Sequence, residues 1–417
     1  MKKKITILTL LVFFVVNINI RVSAKASPPP DVTSDGAILM DAQTGEILYN
    51  KNIDTQYPPA STTKIMTTLL TLENCKMDEM VTVGANPPRV IGISSSIGLR
   101  EGEKLSVKDL LYGLLYLSGN DCAETLAEKI GGTSQNFVKM MNKRAKQLGC
   151  KNTNFVNPDG LYDDKHRTTP RDLALIMNEL MKHKEFIDIA GGSDYTISPT
   201  NIHPKGIPLA NEDKLVLKRS KFYYPNAEAG KTGYTVQSLH SYVASAKKGD
   251  QRLIVVLMHD QNKNTMYQHF ILSKELFEWG FNNFELVKMY SKGQKVADYK
   301  NGKLDIPLIA SKDYYYIREK GQNTVPVMKV KNISDLNKLS FKSGTHIADA
   351  KFSIDGTSKG TLELVSGINH NIQKNIASSK QNYNETTADY IIFSFFLIIF
   401  IFIFTSQVKR HNKKRQG

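Results

Sequence analysis

The sequence predicts an α/β domain followed by a small all-β domain and a C-terminal transmembrane helix. In the first domain, strand-like runs flank a long helical pattern, as expected of helices packed on a sheet. Short alternating runs with Gly and Lys at the turns follow from residue 285. A chain of 417 residues is also longer than one hydrophobic core usually organises.

The N terminus has the three-part layout of a secretory signal. Three lysines follow Met1, an apolar stretch covers residues 5–16, and Val22-Ser23-Ala24 offers a small-residue cleavage site. We therefore predict a signal peptide over residues 1–24. An uncleaved membrane anchor is the alternative, and the short apolar core argues against it.

The C terminus has the composition of a membrane anchor. Residues 390–408 are almost wholly apolar and would span roughly 28 Å as a helix, close to the thickness of a bilayer's hydrocarbon core. The basic tail 409–417 predicts a cytoplasmic flank, so we expect the body to be exported and anchored to the outer face of the cytoplasmic membrane. A buried core helix is the alternative, but this segment is apolar on every side.

Between these ends we expect an α/β domain over residues 32–283. Strand-like runs at 37–39 and 46–49 surround a turn that contains Asp and Gly, which predicts an opening β-hairpin. A helical pattern runs from about Ser61 to Glu185. Strands return at 241–246 and 253–258, before an aromatic helix near 270–281.

The region after this domain changes in composition. Alternating runs at 296–299, 303–309 and 314–317 predict a small β-sandwich or β-barrel over residues 285–367. Residues 368–389 are rich in Asn, Gln, Ser and Thr and lack apolar periodicity, so we expect a flexible stalk there.

Charge gives no specific support for binding nucleic acid. The formal net charge is +15, but the predicted signal and tail hold nine basic residues and no acidic one, leaving 46 basic against 40 acidic residues. A mildly basic body is compatible with work beside anionic wall polymers. We therefore expect no nucleic-acid partner.

Cysteine and histidine spacing indicates neither a disulfide framework nor a metal site. Cys75, Cys122 and Cys150 are few and scattered, although one disulfide outside the cell stays an open alternative. No Cys-x-x-Cys or His-x-x-x-His pair suggests a structural metal. We predict no metal and no cofactor.

The most informative window runs over residues 57–66, where two prolines precede a helix that we expect to begin near Ser61. Lys64 lies three residues on, so both side chains share one helix face. A lysine whose pKa is lowered by burial or by a second cation can take the proton of a serine nucleophile. The pair alone is a weak signal, because an N-cap serine beside a solvated lysine has the same pattern.

Two later windows offer further polar side chains. Ser118-Gly119-Asn120 follows a Leu-rich helix and predicts a tight loop that could reach a site from the side, with a simple helix cap as the alternative. Lys231-Thr232-Gly233-Tyr234-Thr235 follows another glycine, and a lysine with two hydroxyls can hold a carboxylate. A phosphate-binding loop is excluded here because its glycine pattern is incomplete.

The ordered set Ser-x-x-Lys, Ser-Gly-Asn and Lys-Thr-Gly is the one found in β-lactamases and penicillin-binding proteins. The chain resembles the low-molecular-mass penicillin-binding proteins, which are serine-type D-alanyl-D-alanine carboxypeptidases. The resemblance runs from about Asp35 to the C-terminal anchor and includes windows at 59–61, 102–103, 110–114, 118–121, 157–161 and 168–174, together with His166. It implies a β-lactamase/transpeptidase-like domain, with an antiparallel sheet flanked by helices, before the all-β domain.

The resemblance also implies catalytic roles. Ser61 would attack the carbonyl between two D-alanines at the end of a peptidoglycan stem peptide, and Lys64 would remove its proton. Ser118 would relay a proton to the leaving D-alanine, while Asn120 would orient Lys64 and the substrate amide. β-Lactam antibiotics would be trapped at Ser61 as slowly hydrolysed acyl-enzymes.

Substrate binding is assigned by the same resemblance to the third window. Lys231 and Thr232 would bind the terminal carboxylate, and Gly233 and Thr235 belong to the same binding strip. The backbone N–H groups of Ser61 and Tyr234 would form the oxyanion hole.

One segment departs from the family pattern. Residues 236–241 stand where the family usually has an Ala-Gly pair, so the shape beside the substrate is expected to differ. His240 lies in this segment and suggests a general base, but a solvated or strand-face histidine is the favoured interpretation because Lys64 fills that role. His166 is expected to be structural.

Two alternatives come from other functional classes. A class A β-lactamase needs a glutamate within Glu-x-x-Leu-Asn, and the best match, residues 212–216, fails at its last position. A non-catalytic wall-binding or β-lactam-sensing protein would keep the fold, but the chain retains every catalytic residue named above.

Overall fold

The protein is described by a computed structural model that covers residues 27–372 apart from 91, 93, 262–264, 303, 332 and 334. The predicted signal peptide, transmembrane helix and basic tail lie outside the described residues, as does the stalk beyond residue 372. No helix in the described part of the chain is long and apolar enough to cross a membrane.

The first region combines short strands with helices. Its strands are β1 (Gly36–Asp41), β2 (Ile47–Lys51), β3 (Met80–Thr82), β4 (Lys104–Ser106), β5 (Asp194–Ile197), β6 (Ile207–Ala210), β7 (Ala227–Thr235), β8 (Leu239–Lys248) and β9 (Gln251–Asp260). Its helices are α1 (Lys64–Asn74), α2 (Val107–Tyr116), α3 (Asn120–Gly131), α4 (Ser134–Gln147), α5 (Pro170–Leu180), α6 (Lys184–Ala190) and α7 (Gln268–Asn283).

A five-stranded antiparallel sheet organises this region, with strand order β2-β1-β9-β8-β7. Every residue of β1 is buried, as expected for a strand covered on both faces. Alternate residues point to opposite faces, so Ile38 packs with α1–α6 while Leu39 packs with α7. The predicted antiparallel sheet flanked by helices is confirmed.

The close packing of α7 on the sheet depends on a glycine. A Cβ at Gly280 would lie 2.7 Å from a methyl group of Leu39 and 2.8 Å from one of Leu253. Aromatic side chains of the same helix, including Phe270 and Phe277, bury the rest of this face. The predicted aromatic helix therefore closes one side of the sheet.

Local patterns located some strands and missed others. The opening hairpin and the strands at β8 and β9 are confirmed, but β3 with β4 and β5 with β6 interrupt or follow the expected helical stretch as short antiparallel pairs. The third sequence window, expected to precede the strands, is itself part of edge strand β7. Its glycines lower strand propensity, and pairing with β8 overrides that preference.

The region after α7 is all-β, as predicted. Its strands are β10 (Phe284–Tyr290), β11 (Lys295–Asn301), β12 (Leu304–Ala310), β13 (Tyr314–Glu319), β14 (Val327–Val330), β15 (His346–Ile354) and β16 (Thr357–Ser366). They form a two-stranded sheet, β10-β13, and a five-stranded sheet, β11-β12-β16-β15-β14. Tyr314 of β13 stacks on Phe352 of β15 with ring centroids 4.1 Å apart, so the aromatic core joins the two sheets.

The described residues fall into two compact units. The large unit holds every strand and α-helix named above, whereas residues 335–342 and 369–372 form a small separate unit. Within the small unit, Asp335 caps a 3₁₀ turn at Leu336–Lys338, and Phe341 and His370 form an antiparallel bridge.

Candidate active site

Ser61 lies in a 3₁₀ turn, Ala60–Thr63, that leads directly into α1. The expected helix start is therefore observed, with a tighter first turn than a regular α-helix. Ala60 has a φ of +50°, a conformation that costs a non-glycine residue free energy and that often occurs at functional sites. Ser61 itself is half-buried, so its hydroxyl is held at the end of a constrained turn.

Lys64 is the first residue of α1 and has no exposed surface. Its Nζ donates to Ser61 Oγ at 3.0 Å, to Asn120 Oδ1 at 2.7 Å and to the backbone oxygen of Asp159 at 2.6 Å. An ammonium has three protons to donate, so these acceptors satisfy it completely. The structure thus brings the predicted Ser61, Lys64 and Asn120 together at one nitrogen.

Burial changes the acidity of Lys64. Loss of hydration lowers the pKa of its ammonium to about 7, the Asp159 carboxylate opposes that shift, and the charge of Lys231 adds to it. At neutral pH a large fraction of Lys64 is therefore an uncharged amine. An amine 3.0 Å from Ser61 Oγ can accept the hydroxyl proton.

Ser118 occupies the turn between α2 and α3 and has a φ of +56°. Its Oγ is buried and has no hydrogen-bond partner among the described residues. A buried hydroxyl without a partner costs free energy, so this group is available to a ligand at the site. The next turn places Asn120 at the first position of α3, facing Lys64.

The Lys-Thr-Gly window lies on β7, which runs past the turn of Ser61. A Cβ at Gly233 would lie 2.9 Å from the backbone nitrogen of Ser61 and 3.0 Å from the oxygen of Pro59. Glycine is therefore required for the strand to approach this closely. Lys231 is 3% exposed, and burial lowers the pKa of its ammonium to about 8, so it stays mainly charged at neutral pH.

The segment that departs from the family pattern forms the tight β7-β8 turn. Ser238 Oγ accepts the Thr235 N–H at 2.9 Å, and Thr235 Oγ1 accepts the Ser238 N–H at 3.0 Å. Leu239 has a φ of +52°, a left-handed conformation that costs a non-glycine residue free energy, so the turn is strained.

A cavity of about 420 Å³ opens above these elements. Five of the predicted site residues line it, namely Ser61, Ser118, Thr232, Gly233 and Tyr234. Three of the other predicted site residues are buried and do not line the cavity, namely Lys64, Asn120 and Lys231. The last one, Thr235, hydrogen-bonds with Ser238 in the β7-β8 turn. A volume of this size suits a small peptide end.

The two histidines take the kind of position expected of them. His166 is buried and neutral, because burial lowers its pKa to about 4, and its Nε2 lies 2.9 Å from Thr63 Oγ1. Its Nδ1 accepts the Val156 N–H, which ties a loop to the turn of Ser61. His240 lies on strand β8, half-buried, with its ring stacked on that of His269.

The loop over residues 157–161 is a contributor whose role the sequence did not reveal. It supplies the Asp159 backbone oxygen to Lys64, and a carbonyl carries no residue-type signal. Gly160, with a φ of +91°, lies so close that a Cβ would fall 1.9 Å from the backbone oxygen of Ala60. The only signal in the sequence was that residues 157–161 belong to the windows that carry the family resemblance.

Metal and disulfide chemistry have no visible basis in the described residues. No group of three or more His, Cys, Asp or Glu side chains there could hold a metal ion. Cys75, Cys122 and Cys150 are free thiols, and burial raises the pKa of Cys150 to about 12.

We expect Gly160→Ala to lower the free energy of unfolding more than the matched variant Gly149→Ala. Gly149 has a φ of +87° with open space around it, so alanine there meets backbone strain of about 1–2 kcal/mol. Alanine at residue 160 adds a collision with the Ala60 carbonyl, and we expect a loss of about 3 kcal/mol or more. Urea unfolding followed by circular dichroism measures both, and equal losses would contradict the close approach.

Comparison with known proteins agrees with this geometry. A family model described as D-alanyl-D-alanine carboxypeptidase matches residues 23–262, and one for the C-terminal domain of penicillin-binding protein 5 matches residues 284–371. D-alanyl-D-alanine carboxypeptidase DacF of Bacillus subtilis is 33% identical over 77% of this chain and 81% of its own length. DacA of Haemophilus influenzae is 33% identical over 81% of this chain and 85% of its own.

Solved structures give the same result. Penicillin-binding protein 5 from Haemophilus influenzae superposes with a TM-score of 0.69 and 31% identity, covering 82% of this chain and 99% of that one. A D-alanyl-D-alanine carboxypeptidase from Mycobacterium tuberculosis superposes with a TM-score of 0.56 and 29% identity over 62% of this chain and 94% of that one. From its sequence, its site and its two-domain order, this chain belongs to the D-alanyl-D-alanine carboxypeptidase family of penicillin-binding proteins.

Proposed function

We propose that this protein is a serine-type D-Ala-D-Ala carboxypeptidase that removes the terminal D-alanine from peptidoglycan stem peptides. The observation that carries the proposal is the hydrogen bond from the buried, easily deprotonated Lys64 to Ser61 Oγ at 3.0 Å. It supplies a base and a nucleophile in contact. The named activity of the relatives in the same family supports the choice of substrate.

Acylation in this proposal begins when Lys64 takes the proton of Ser61 as Oγ bonds to the carbonyl carbon of the penultimate D-alanine. The N–H groups of Ser61 and Tyr234 stabilise the resulting oxyanion. The C–N bond then breaks as the Ser118 hydroxyl gives its proton to the leaving amine and takes in return the proton that Lys64 removed from Ser61, while Asn120 orients Lys64. The Ser118 Oγ has no hydrogen-bond partner among the described residues and Ser118 lines the cavity, so its hydroxyl is available to the leaving amine.

Specificity for a C-terminal residue follows from the β7 side of the cavity. The charged Lys231 and the hydroxyl of Thr232 bind the terminal carboxylate, which only the last residue of a peptide carries. After the free D-alanine leaves, water attacks the ester, Ser61 recovers its proton, and the shortened peptide departs. A β-lactam acylates Ser61 in the same way, and its acyl-enzyme hydrolyses slowly.

We expect the purified ectodomain, residues 25–372, to be labelled by a fluorescent penicillin and to release D-alanine from a peptide ending in D-Ala-D-Ala. Ser61→Ala should abolish both signals, because no acyl-enzyme forms without the hydroxyl. Ser291→Ala, at an exposed position of the all-β domain, is the matched control and should behave as wild type. Labelling without D-alanine release would favour the non-catalytic sensor.

The acidity of Lys64 gives a pH dependence. The neutral amine is the active form, and its fraction increases as the pH rises through the pKa of about 7. We therefore expect the acylation rate of the free enzyme at low penicillin concentration to rise with pH and to reach half its maximum near pH 7, and then to fall again above about pH 8 as Lys231 loses the charge that binds the carboxylate. Stopped-flow acylation by penicillin across pH 5 to 9 measures the profile.

Lys64→Arg is the matching variant, because a guanidinium stays charged and cannot serve as the base. Its acylation rate should fall by about a thousandfold or more at every pH while its circular dichroism spectrum stays normal. Lys139→Arg, an exposed substitution of the same type, should leave the profile unchanged. Wild-type rates in Lys64→Arg would rule out the base assignment.

We also propose that the protein is exported and held at the outer face of the cytoplasmic membrane through residues 390–408. The two predicted ends support this, since both put the catalytic region outside. The full chain should sediment with bacterial membranes and be open to external protease, and a chain that ends at residue 389 should be released. A truncated chain that still sediments would indicate an uncleaved N-terminal anchor instead.

A further inference from the structure

Asp121 is a buried carboxylate beside the site that the proposed reaction does not use. It lies in the first turn of α3 and is 0% exposed. Its Oδ2 accepts the backbone N–H groups of Ile97, Gly98 and Leu99, each at 3.0 Å, and its Oδ1 accepts the Cys122 N–H at 2.9 Å. Backbone donors from three consecutive residues therefore converge on one carboxylate.

A glycine makes this convergence possible. Gly98 has a φ of +87°, which bends the segment so that successive N–H groups point to the same side. The carboxylate is the main acceptor for these buried donors, and an ionised acceptor makes such bonds roughly twice as strong as a neutral one. Segment 95–99 is thereby attached to the start of α3.

The same segment has direct contact with the site. The backbone oxygen of Ser95 accepts the Asn120 N–H at 2.8 Å, and Ser95 lines the cavity together with Ser61 and Ser118. Asn120 in turn accepts the Lys64 Nζ proton through Oδ1. One carboxylate thus holds a wall of the cavity against the residue that orients Lys64.

We propose that Asp121 is a positioning residue for acylation, which sets the placement of Asn120 and of the Ser95 wall relative to Lys64 and Ser61. This proposal rests on the proposed function. An asparagine at this position would turn an amide donor or a weaker acceptor toward the three N–H groups and loosen the segment. Small displacements of catalytic groups cost large factors in rate, even when the fold survives.

A second aspartate provides a matched control for a purely structural role. Asp172 lies in the first turn of α5, is 1% exposed, and its carboxylate accepts the N–H groups of Lys151 and Asn152 at 3.2 and 2.8 Å. It thus attaches a loop to a helix start in the same manner. The segment that it holds does not line the cavity, whereas Ser95 in the segment held by Asp121 does, so loss of Asp172 should affect stability alone.

The experiment compares Asp121→Asn with Asp172→Asn in the ectodomain, at a temperature where circular dichroism shows both folded. Saturation kinetics with fluorescent penicillin separate the dissociation constant of the first complex from the acylation rate constant. We expect both variants to melt at lower temperature. The acylation rate constant should fall about tenfold to a hundredfold in Asp121→Asn and less than about twofold in Asp172→Asn.

Equal acylation rate constants in the two variants would overturn the proposal, as would a loss in Asp121→Asn that lies wholly in the dissociation constant. If Asp121→Asn does not fold, Gly98→Ala tests the same attachment from the segment's side. Gly149→Ala is its control, since both glycines have a φ of +87° and open space around them. Only Gly98→Ala should slow acylation, and equal rates would again refute the positioning role.

The readout also separates this proposal from the proposed function. Penicillin acylation tests Asp121 directly, whereas release of D-alanine by the wild-type protein tests carboxypeptidase activity. A wild type that is acylated but releases no D-alanine would refute the hydrolysis and leave the comparison of Asp121 with Asp172 decisive.

Discussion

The buried amine of Lys64 is the constraint on which the rest of the site depends. A lysine nitrogen without access to water needs protein acceptors for all its protons, since each unmet donor in the interior costs free energy. Ser61, Asn120 and Asp159 supply them from a turn, a helix start and a loop. Three separate parts of the chain must therefore lie around one nitrogen atom. The same burial lowers the pKa of the Lys64 ammonium to about 7.

Two glycines allow neighbouring segments of the chain to lie against the Ser61 turn. Gly160 brings the Asp159 loop against one side of the Ser61 turn, and Gly233 brings β7 against the turn from the Lys-Thr-Gly window. At either position a methyl group would fall on backbone atoms, which cannot move aside as a flexible side chain can. The nucleophile is thus confined by backbone on more than one side, consistent with the unusual conformation of Ala60.

Elements with a clear local period could be predicted from the sequence. The hairpin β1-β2, strands β8 and β9 and helix α7 follow apolar patterns that survive in the fold, and the three motif windows identified the residues now found around one cavity. Strand β7 was missed because its glycines weaken the strand pattern. Strands β3 and β4 were missed because they are short, far apart in the sequence and paired only in the tertiary structure. Two contacts could not be predicted because they are made by backbone groups, which every residue type has. They are the hydrogen bond from Lys64 to the Asp159 carbonyl and the bonds from backbone N–H groups to the Asp121 carboxylate. The signal peptide, stalk and membrane helix stay predictions.

Strand β7 is the outermost strand of its sheet, with β8 on one side only. An edge strand presents unpaired N–H and C=O groups that can form hydrogen bonds with another extended chain and so lead to aggregation. Here the edge strand lies beside the Ser61 turn and lines the cavity, so an extended peptide bound in the cavity can add to it as a further strand. Pairing of this kind depends on main-chain amides and not on side-chain identity. In the proposed carboxypeptidase, such pairing would tolerate side-chain variation along the substrate peptide, while Lys231 and Thr232 would recognise the carboxylate of its final residue.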